Sequence, residues 1–259
     1  MYKNVETETS YQYLAKVISH LKEPICILGG WAVYFAVQEQ YEKQMKRAYL
    51  GSRDIDLGFH DAATFLQAAK ILEEKLHFRS ISARYFKSVH AETGKDLTEE
   101  QAKQLPRHMF FHMYVDPILS HTNPGIKKEL GFSPIDEPLL AYAFENEKYR
   151  KNVKEFGRKL LLPTTSILLA TKINSILNRD KEHKRIKDLC DIVALCLFGD
   201  TDLDELIKTA IGLLPKKTLQ EFKKMNLEND MATCSKILGL ELSTVRSTID
   251  KIYDAIRYN

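Results

Sequence analysis

Apolar positions recur at helical spacing over roughly residues 9–21, where Tyr13, Leu14, Val17, Ile18 and Leu21 share one side. Pro24 stops that pattern, and the continuous apolar run ICIL (25–28) predicts a short buried strand. Gly29-Gly30 then turns the chain into a second helical stretch, from Trp31 to about Gln40. The charged segment EQYEKQMKRAYLGSR (39–53) reads as an exposed excursion. DIDLGF (54–59) alternates as a strand, and an amphipathic helix is expected over 61–76. Two further strand patterns, 78–90 and 107–119, flank the polar stretch ETGKDLTEEQAKQLP (92–106), expected to be a hairpin insertion. After Pro134 the character changes: a helix over 136–148, a short strand in KLLLP (159–163), then helical periodicity from Thr164 onward. The pattern predicts an α+β domain over residues 1–135 and an all-α domain over 136–259.

Composition narrows the class without naming a function. The 259 residues leave room for two domains, and 44% hydrophobic with 28% charged residues is ordinary for a globular protein. Only 11 Gly and 8 Pro argue against a collagenous, disordered or turn-rich β chain. No apolar run approaches the roughly 18 residues that a membrane span requires, and the polar, acidic start lacks the pattern of a secretory signal. A cytoplasmic protein with no membrane partner is expected. The net charge of +3 is uneven: residues 1–150 carry 19 basic and 20 acidic side chains, residues 151–259 carry 19 and 15. That excess is too mild to demand nucleic acid, but Arg179, Lys181, Lys184, Arg185 and Lys187 offer a place for an anionic ligand. Cys26, Cys190, Cys196 and Cys234 form no CxxC pair and no zinc spacing, which predicts buried free thiols.

The informative segments are GGWAV (29–33) and SRDIDLGF (52–59). Alternate residues of a strand share a face, so Asp54 and Asp56 project together while Ile55 and Leu57 pack underneath. Two adjacent carboxylates repel unless a cation lies between them, and an all-oxygen ligand set suits Mg²⁺. Gly29 and Gly30, between a strand and a helix, let backbone N–H groups approach a phosphate.

Strand–GG–helix followed by a carboxylate–apolar–carboxylate strand resembles the nucleotidyltransferase-fold superfamily. The resemblance implies a small mixed sheet flanked by helices, two Mg²⁺ ions, an NTP substrate and a third carboxylate on a neighbouring strand. Asp116, at the end of the apolar strand FFHMYVDPIL, is the best candidate for that third carboxylate. The spacer from Gly30 to Asp54 is longer than the family's, with 39–53 reading as an insertion. PTTSILLATKINSILNRDKEHKRIKDLCDIVAL (163–195) is similar to the downstream motifs of the nucleotidyltransferase toxins of abortive-infection (AbiE-type) systems. Lys172, Ser175 and Arg179 share a helix face there, and Lys187, Asp188 and Asp191 match a K-D-x-x-D helix. By that resemblance, which spans about residues 25–195, Asp54, Asp56 and Asp116 ligate metal and carry catalysis. Gly29, Gly30, Ser52 and Arg53 meet phosphates, and Lys172, with Arg179 or Lys187, holds the triphosphate at a site between the halves. The acceptor hydroxyl belongs to tRNA, protein or a small molecule, and a phage-defence or toxin–antitoxin role with a cognate antitoxin is implied.

Weaker signals point elsewhere. DMATCSKILGLELSTVRSTIDKI (230–252) echoes a helix-turn-helix with Gly239 at the turn, so the alternative is a nucleotide-binding or DNA-binding regulator without transferase activity. His112 falls on the same strand face as Asp116, where it can line a pocket, and Trp31 is expected in the core.

Overall fold

The computed structural model describes residues 4–121 and 124–257. It packs as two compact units. One contains the chain up to Ala32 together with Leu50–Pro163; the other contains Val33–Tyr49 and the chain from Thr164 onward.

The first unit opens with α1 (Asn4–His20), β1 (Ile25–Leu28) and the start of α2 (Gly29–Met45). It continues through β2 (Ile55–Phe59), α3 (Ala62–Lys70), β3 (Arg79–Ile81), β4 (Arg84–His90), β5 (Asp96–Leu97) and α4 (Glu99–Gln104). Then follow β6 (Phe110–Leu119), α5 (Pro124–Leu130), β7 (Ile135–Asp136), α6 (Leu139–Glu145), β8 (Arg150–Val153) and β9 (Leu160–Pro163). The strands form one mixed sheet in the order β3-β4-β6-β2-β1-β9-β8, with β5 paired to β4 and β7 to β6. β2 runs parallel to β6 and β1 parallel to β9, whereas β1 and β2 are antiparallel. The expected sheet with flanking helices is therefore present. β8 and β9 follow residue 135, so the sheet itself continues to Pro163.

The second unit is helical. Its members are α2 from Val33, α7 (Thr165–Ile176), α8 (Glu182–Phe198), α9 (Leu203–Gly212), α10 (Lys216–Lys224), α11 (Glu228–Leu238) and α12 (Leu242–Arg257). α8 packs against α7 and α11, and α12 crosses α9 and α11. Tyr41, Phe222, Leu195 and Ile249 are buried in its core, and all four cysteines of the chain are buried and free.

Three expectations change. The segment 39–53 is helical as far as Met45, because Tyr41 is buried against Tyr49 and Phe198 and anchors that extra turn to the core. The 92–106 stretch forms β5 and then α4, which a Thr98/Gln101 capping box starts, rather than a simple hairpin. The helix expected over 136–148 is limited to Leu139–Glu145, since Ile135–Asp136 pairs with β6 and Asn146 leaves helical geometry. Among the described residues no helix is long and apolar enough to cross a membrane.

Candidate functional site

Burial of Ile55, Leu57 and Phe59 sets the register of β2, because a one-residue slip would turn those side chains out of the core. In that register Ile55 lies opposite Val115 and Asp56 opposite Asp116. Directly paired residues of neighbouring strands share a face, so Asp56 and Asp116 project together, with Asp54 two residues earlier. Asp54 and Asp116 are buried, at 9% and 6% exposure. On the other side of β2, Leu28 pairs with Asp56, which brings Gly29 against that carboxylate. Gly29 has φ +60°, and a Cβ there would stand 1.8 Å from Asp56 Oδ2. Both the backbone conformation and the close approach require glycine.

Arg84, which the sequence reading did not single out, stands among these carboxylates. Its Nε donates to Asp116 Oδ1 and its Nη2 to Asp116 Oδ2, each at 2.7 Å, in a fork that matches the carboxylate. Nη2 also donates to Asp54 Oδ2 at 3.3 Å. Burial opposes the guanidinium charge, but Asp116, Asp54 and Asp56 outweigh it and raise the Arg84 pKa above its ordinary value. Arg53 lies 3.6 Å from both Glu6 and Asp54, and Ser52 Oγ donates to the Asp54 carbonyl at 2.8 Å, bracing the entry to β2. Trp31 donates from Nε1 to Ser10 Oγ at 3.1 Å and is buried, in the core role expected of it.

Whether this cluster suits a divalent cation depends on Arg84. Among the described residues no three His, Cys, Asp or Glu side chains converge closely enough to hold a metal ion as they stand. The donor set nevertheless fits in kind: three carboxylates, all hard oxygen donors, already gathered around the Arg84 guanidinium. The Arg84 side chain is 34% exposed, so it has solvent into which to turn. A cation would take the place of that guanidinium.

The same face of the sheet continues away from the aspartates. Across β4 and β6, Phe86 pairs with Tyr114, Ser88 with His112 and His90 with Phe110. The ring centroids of Phe110, His112 and Tyr114 follow one another at 5.5 and 6.2 Å. The Arg84 guanidinium lies 4.1 Å above the Tyr114 ring, and that of Arg79 lies 4.6 Å above Phe86. Arg79 also bridges to Glu99 at 2.9 Å. Ser88 Oγ is 3.2 Å from His112 Nδ1. Burial, with the positive charges of Arg79, Arg53 and Arg107, lowers the His112 pKa. Alternate residues point the other way: Tyr85, Val89, Phe111, Met113 and Val115 fill the core.

The helical unit contains the other predicted residues. Lys172 Nζ lies 2.7 Å from both Asp188 Oδ1 and Asp191 Oδ2. Ser175 Oγ donates to Asp188 Oδ2 at 3.1 Å and Arg179 Nε donates to the same oxygen at 2.5 Å. The i, i+3, i+7 face read from the sequence therefore converges on one carboxylate. Lys187 pairs with Asp191 and lies 5.4 Å over the Tyr49 ring, while Tyr49 donates its hydroxyl to Asp191 Oδ1 at 2.7 Å. Burial would raise the Asp188 pKa, but Lys172 and Arg179 bring it down to about 2.

The helix pair α11–α12 turns at Gly239, with φ +66°, as a helix-turn-helix would. Arg246 on α12 pairs with Glu228, and the exposed charges of that helix are of both signs, Lys251 and Arg257 with Asp250 and Asp254.

No family model matches the chain, and no curated protein matches it. A solved structure with a similar course is that of an antigenic nucleotidyltransferase-like protein from Paracoccidioides brasiliensis. It has 15% identity and a TM-score of 0.38, with 92% of this chain and 93% of that one covered. A likeness this distant does not inform the chemistry.

Proposed function

We propose that the chain is a nucleotidyltransferase, moving a nucleoside monophosphate from an NTP to an acceptor hydroxyl. The observation that carries this reading is Asp56 opposite Asp116 on paired parallel strands, with Asp54 beside them and Gly29 against Asp56. Two Mg²⁺ ions held by Asp54, Asp56 and Asp116 would supply positive charge to the entering and leaving oxygens of an in-line displacement.

The chain's own groups have distinct tasks. The acceptor oxygen forms a bond to the α-phosphorus while the bond to the bridging oxygen of the β-phosphate breaks. Pyrophosphate leaves with that electron pair. Asp116 takes the proton of the acceptor hydroxyl once Arg84 releases its carboxylate. Main-chain N–H groups at Gly29 and Gly30, which begin α2, meet phosphate oxygens, and Ser52 and Arg53 border them. Lys172, Arg179 and Lys187 are bound to Asp188 or Asp191 within the helical unit, so the proposal rests on the sheet unit alone.

Purified protein incubated with Mg²⁺, each α-labelled NTP and a panel of RNA, protein and small hydroxyl acceptors tests the reading. Label is expected in one acceptor class. Asp56→Asn and Asp116→Asn should each lower the transfer rate by about a thousandfold or more, on the scale of a lost electrostatic contact to the transition state, in variants that still fold by circular dichroism. Full transfer by Asp116→Asn overturns the assignment. A defence or toxin role predicts growth arrest on expression that Asp56→Asn relieves.

A further inference from the structure

We infer that Glu6 is an internal stand-in for a nucleotide phosphate: its carboxylate occupies Arg53 in the empty protein, and the phosphates of an NTP displace it on binding. The identity of the anion rests on the transferase reading; the ion pair does not. Glu6 Oε2 lies 3.6 Å from Arg53 Nη1. Arg53 Nε lies 3.6 Å from Asp54 Oδ1, so the pair adjoins the first carboxylate of the cluster. It also stands on the relevant side of the sheet. The positive charge of Arg53 helps to lower the pKa of His112, which shares a face of β6 with Asp116. Glu6 thus brings a further carboxylate toward the aspartates, a repulsion that Arg53 offsets. A phosphate oxygen would take the same guanidinium.

The start of α1 is built to hold this contact and to let it go. A Cβ on Gly51 would come 2.9 Å from Thr7 Cβ and 3.3 Å from Trp31 Cη2, so the first turn lies closely against the entry to β2. Trp31 follows the Gly29-Gly30 pair directly, which puts both phosphate-facing segments beside that turn. The wholly buried apolar anchors of α1, Leu14, Val17 and Ile18, belong to later turns. Ser10, which accepts from Trp31 Nε1 at 3.1 Å, and Tyr11, which donates to Glu155 Oε1 at 2.9 Å, fasten the helix just beyond. Residues 4–8 are half-buried or exposed, so the Glu6 side chain turns away without opening the core. Both partners reach solvent, Glu6 at 15% and Arg53 at 24% side-chain exposure, and an incoming anion meets the guanidinium before Glu6 has left. A single carboxylate charge yields there to the greater charge of a triphosphate.

The test is calorimetric titration of the full chain with Mg²⁺ and α,β-methylene-ATP, whose α–β bridge cannot be cleaved, so that transfer does not contribute. Glu6→Gln should tighten binding by about fivefold, the scale of a partly exposed ion pair. Glu8→Gln, an equal change of charge at an exposed position of the same turn, should leave the affinity unchanged. In an Arg53→Gln background Glu6→Gln should add nothing, and in high salt its gain should shrink as the pair is screened. Unchanged or weaker binding by Glu6→Gln overturns the proposal, whether or not the melting temperature falls, because the pair is then only a brace. An equal gain from Glu8→Gln, or an undiminished gain without Arg53, overturns it too. If Glu6→Gln does not fold, Glu6→Asp, which keeps the charge and shortens its reach, is read against the same criteria. Tighter binding by Glu6→Gln with no transfer to any acceptor leaves the role of Glu6 standing and removes the transferase reading. Transfer by the wild type with an affinity that Glu6→Gln does not alter does the reverse, and absence of nucleotide binding in every variant removes both.

Discussion

The sheet unit and the helical unit each gather aspartates around basic side chains, but they treat the charges differently. In the helical unit Asp191 and Asp188 are almost wholly buried; the buried Lys172 and Lys187, together with Arg179, itself a third exposed, reach them from within the same bundle. Three cations meet two carboxylates there, and Ser175 and Tyr49 satisfy further lone pairs. In the sheet unit Asp54, Asp56 and Asp116 surround the Arg84 guanidinium, which is a third exposed, and Arg53 lies 3.6 Å from Asp54. Buried lysines held between buried carboxylates resist rearrangement, because removing one member strands the others away from water. The sheet carboxylates are met by guanidiniums that reach solvent, and a counter-charge of that kind can be exchanged. The first arrangement braces a fold; the second is suited to chemistry.

The largest expected effect tests the brace. Asp191→Ala leaves Lys172, Lys187 and Tyr49 facing a vacancy in the core and should cost about 3–5 kcal/mol of stability, read by denaturant unfolding. A variant of unchanged stability that loses transfer would break the comparison and make the helical network part of the catalytic apparatus. Acid titration gives a smaller effect. Asp188 falls from the ordinary 3.8 to about 2 on folding, which corresponds to ~2 kcal/mol of stability. That contribution is complete above about pH 4 and disappears as pH falls toward 2, since the unfolded chain takes up the proton first. Asp188→Asn should flatten the acid limb of a stability–pH curve, and an unaltered limb would rule out the linkage. The smallest effect sharpens the sheet side. Arg84→Gln removes the counter-charge, so added Mg²⁺ should stabilise this variant by ~1.4 kcal/mol at ten times its dissociation constant, and the wild type less at the same concentration. Equal thermal shifts in both proteins would mean that Arg84 and the cation do not share a place.

Local pattern carried much of the site but not its geometry. The aspartates are legible because polar residues punctuate apolar strands, and Gly29-Gly30 because two glycines separate a strand from a helix. Buried thiols and a core Trp31 also follow from the residues around them. Arg84 was not legible. In RYFKSVH it looks like any charged residue at a strand start, and its partner lies 32 positions away in β6. The cluster of rings across β4 and β6 was hidden for the same reason: Phe110, His112 and Tyr114 read as half of an alternating strand until β4 brings Phe86 and Ser88 alongside. The extension of α2 to Met45 was masked by the charges of the 39–46 stretch, which conceal one buried anchor, Tyr41.

By itself the sequence determined the kinds of element, the change from α+β to all-α, and the carboxylate–apolar–carboxylate strand after a glycine pair. Those depend on side-chain periodicity and backbone freedom, which act over a few residues. Only the tertiary structure decided that Asp56 faces Asp116, that Arg84 holds both Asp116 and Asp54, and that Lys172 ends between two buried aspartates. Strand register and helix docking are set by which apolar faces bury together across long stretches of chain. Each charged group then takes the partner that burial leaves beside it.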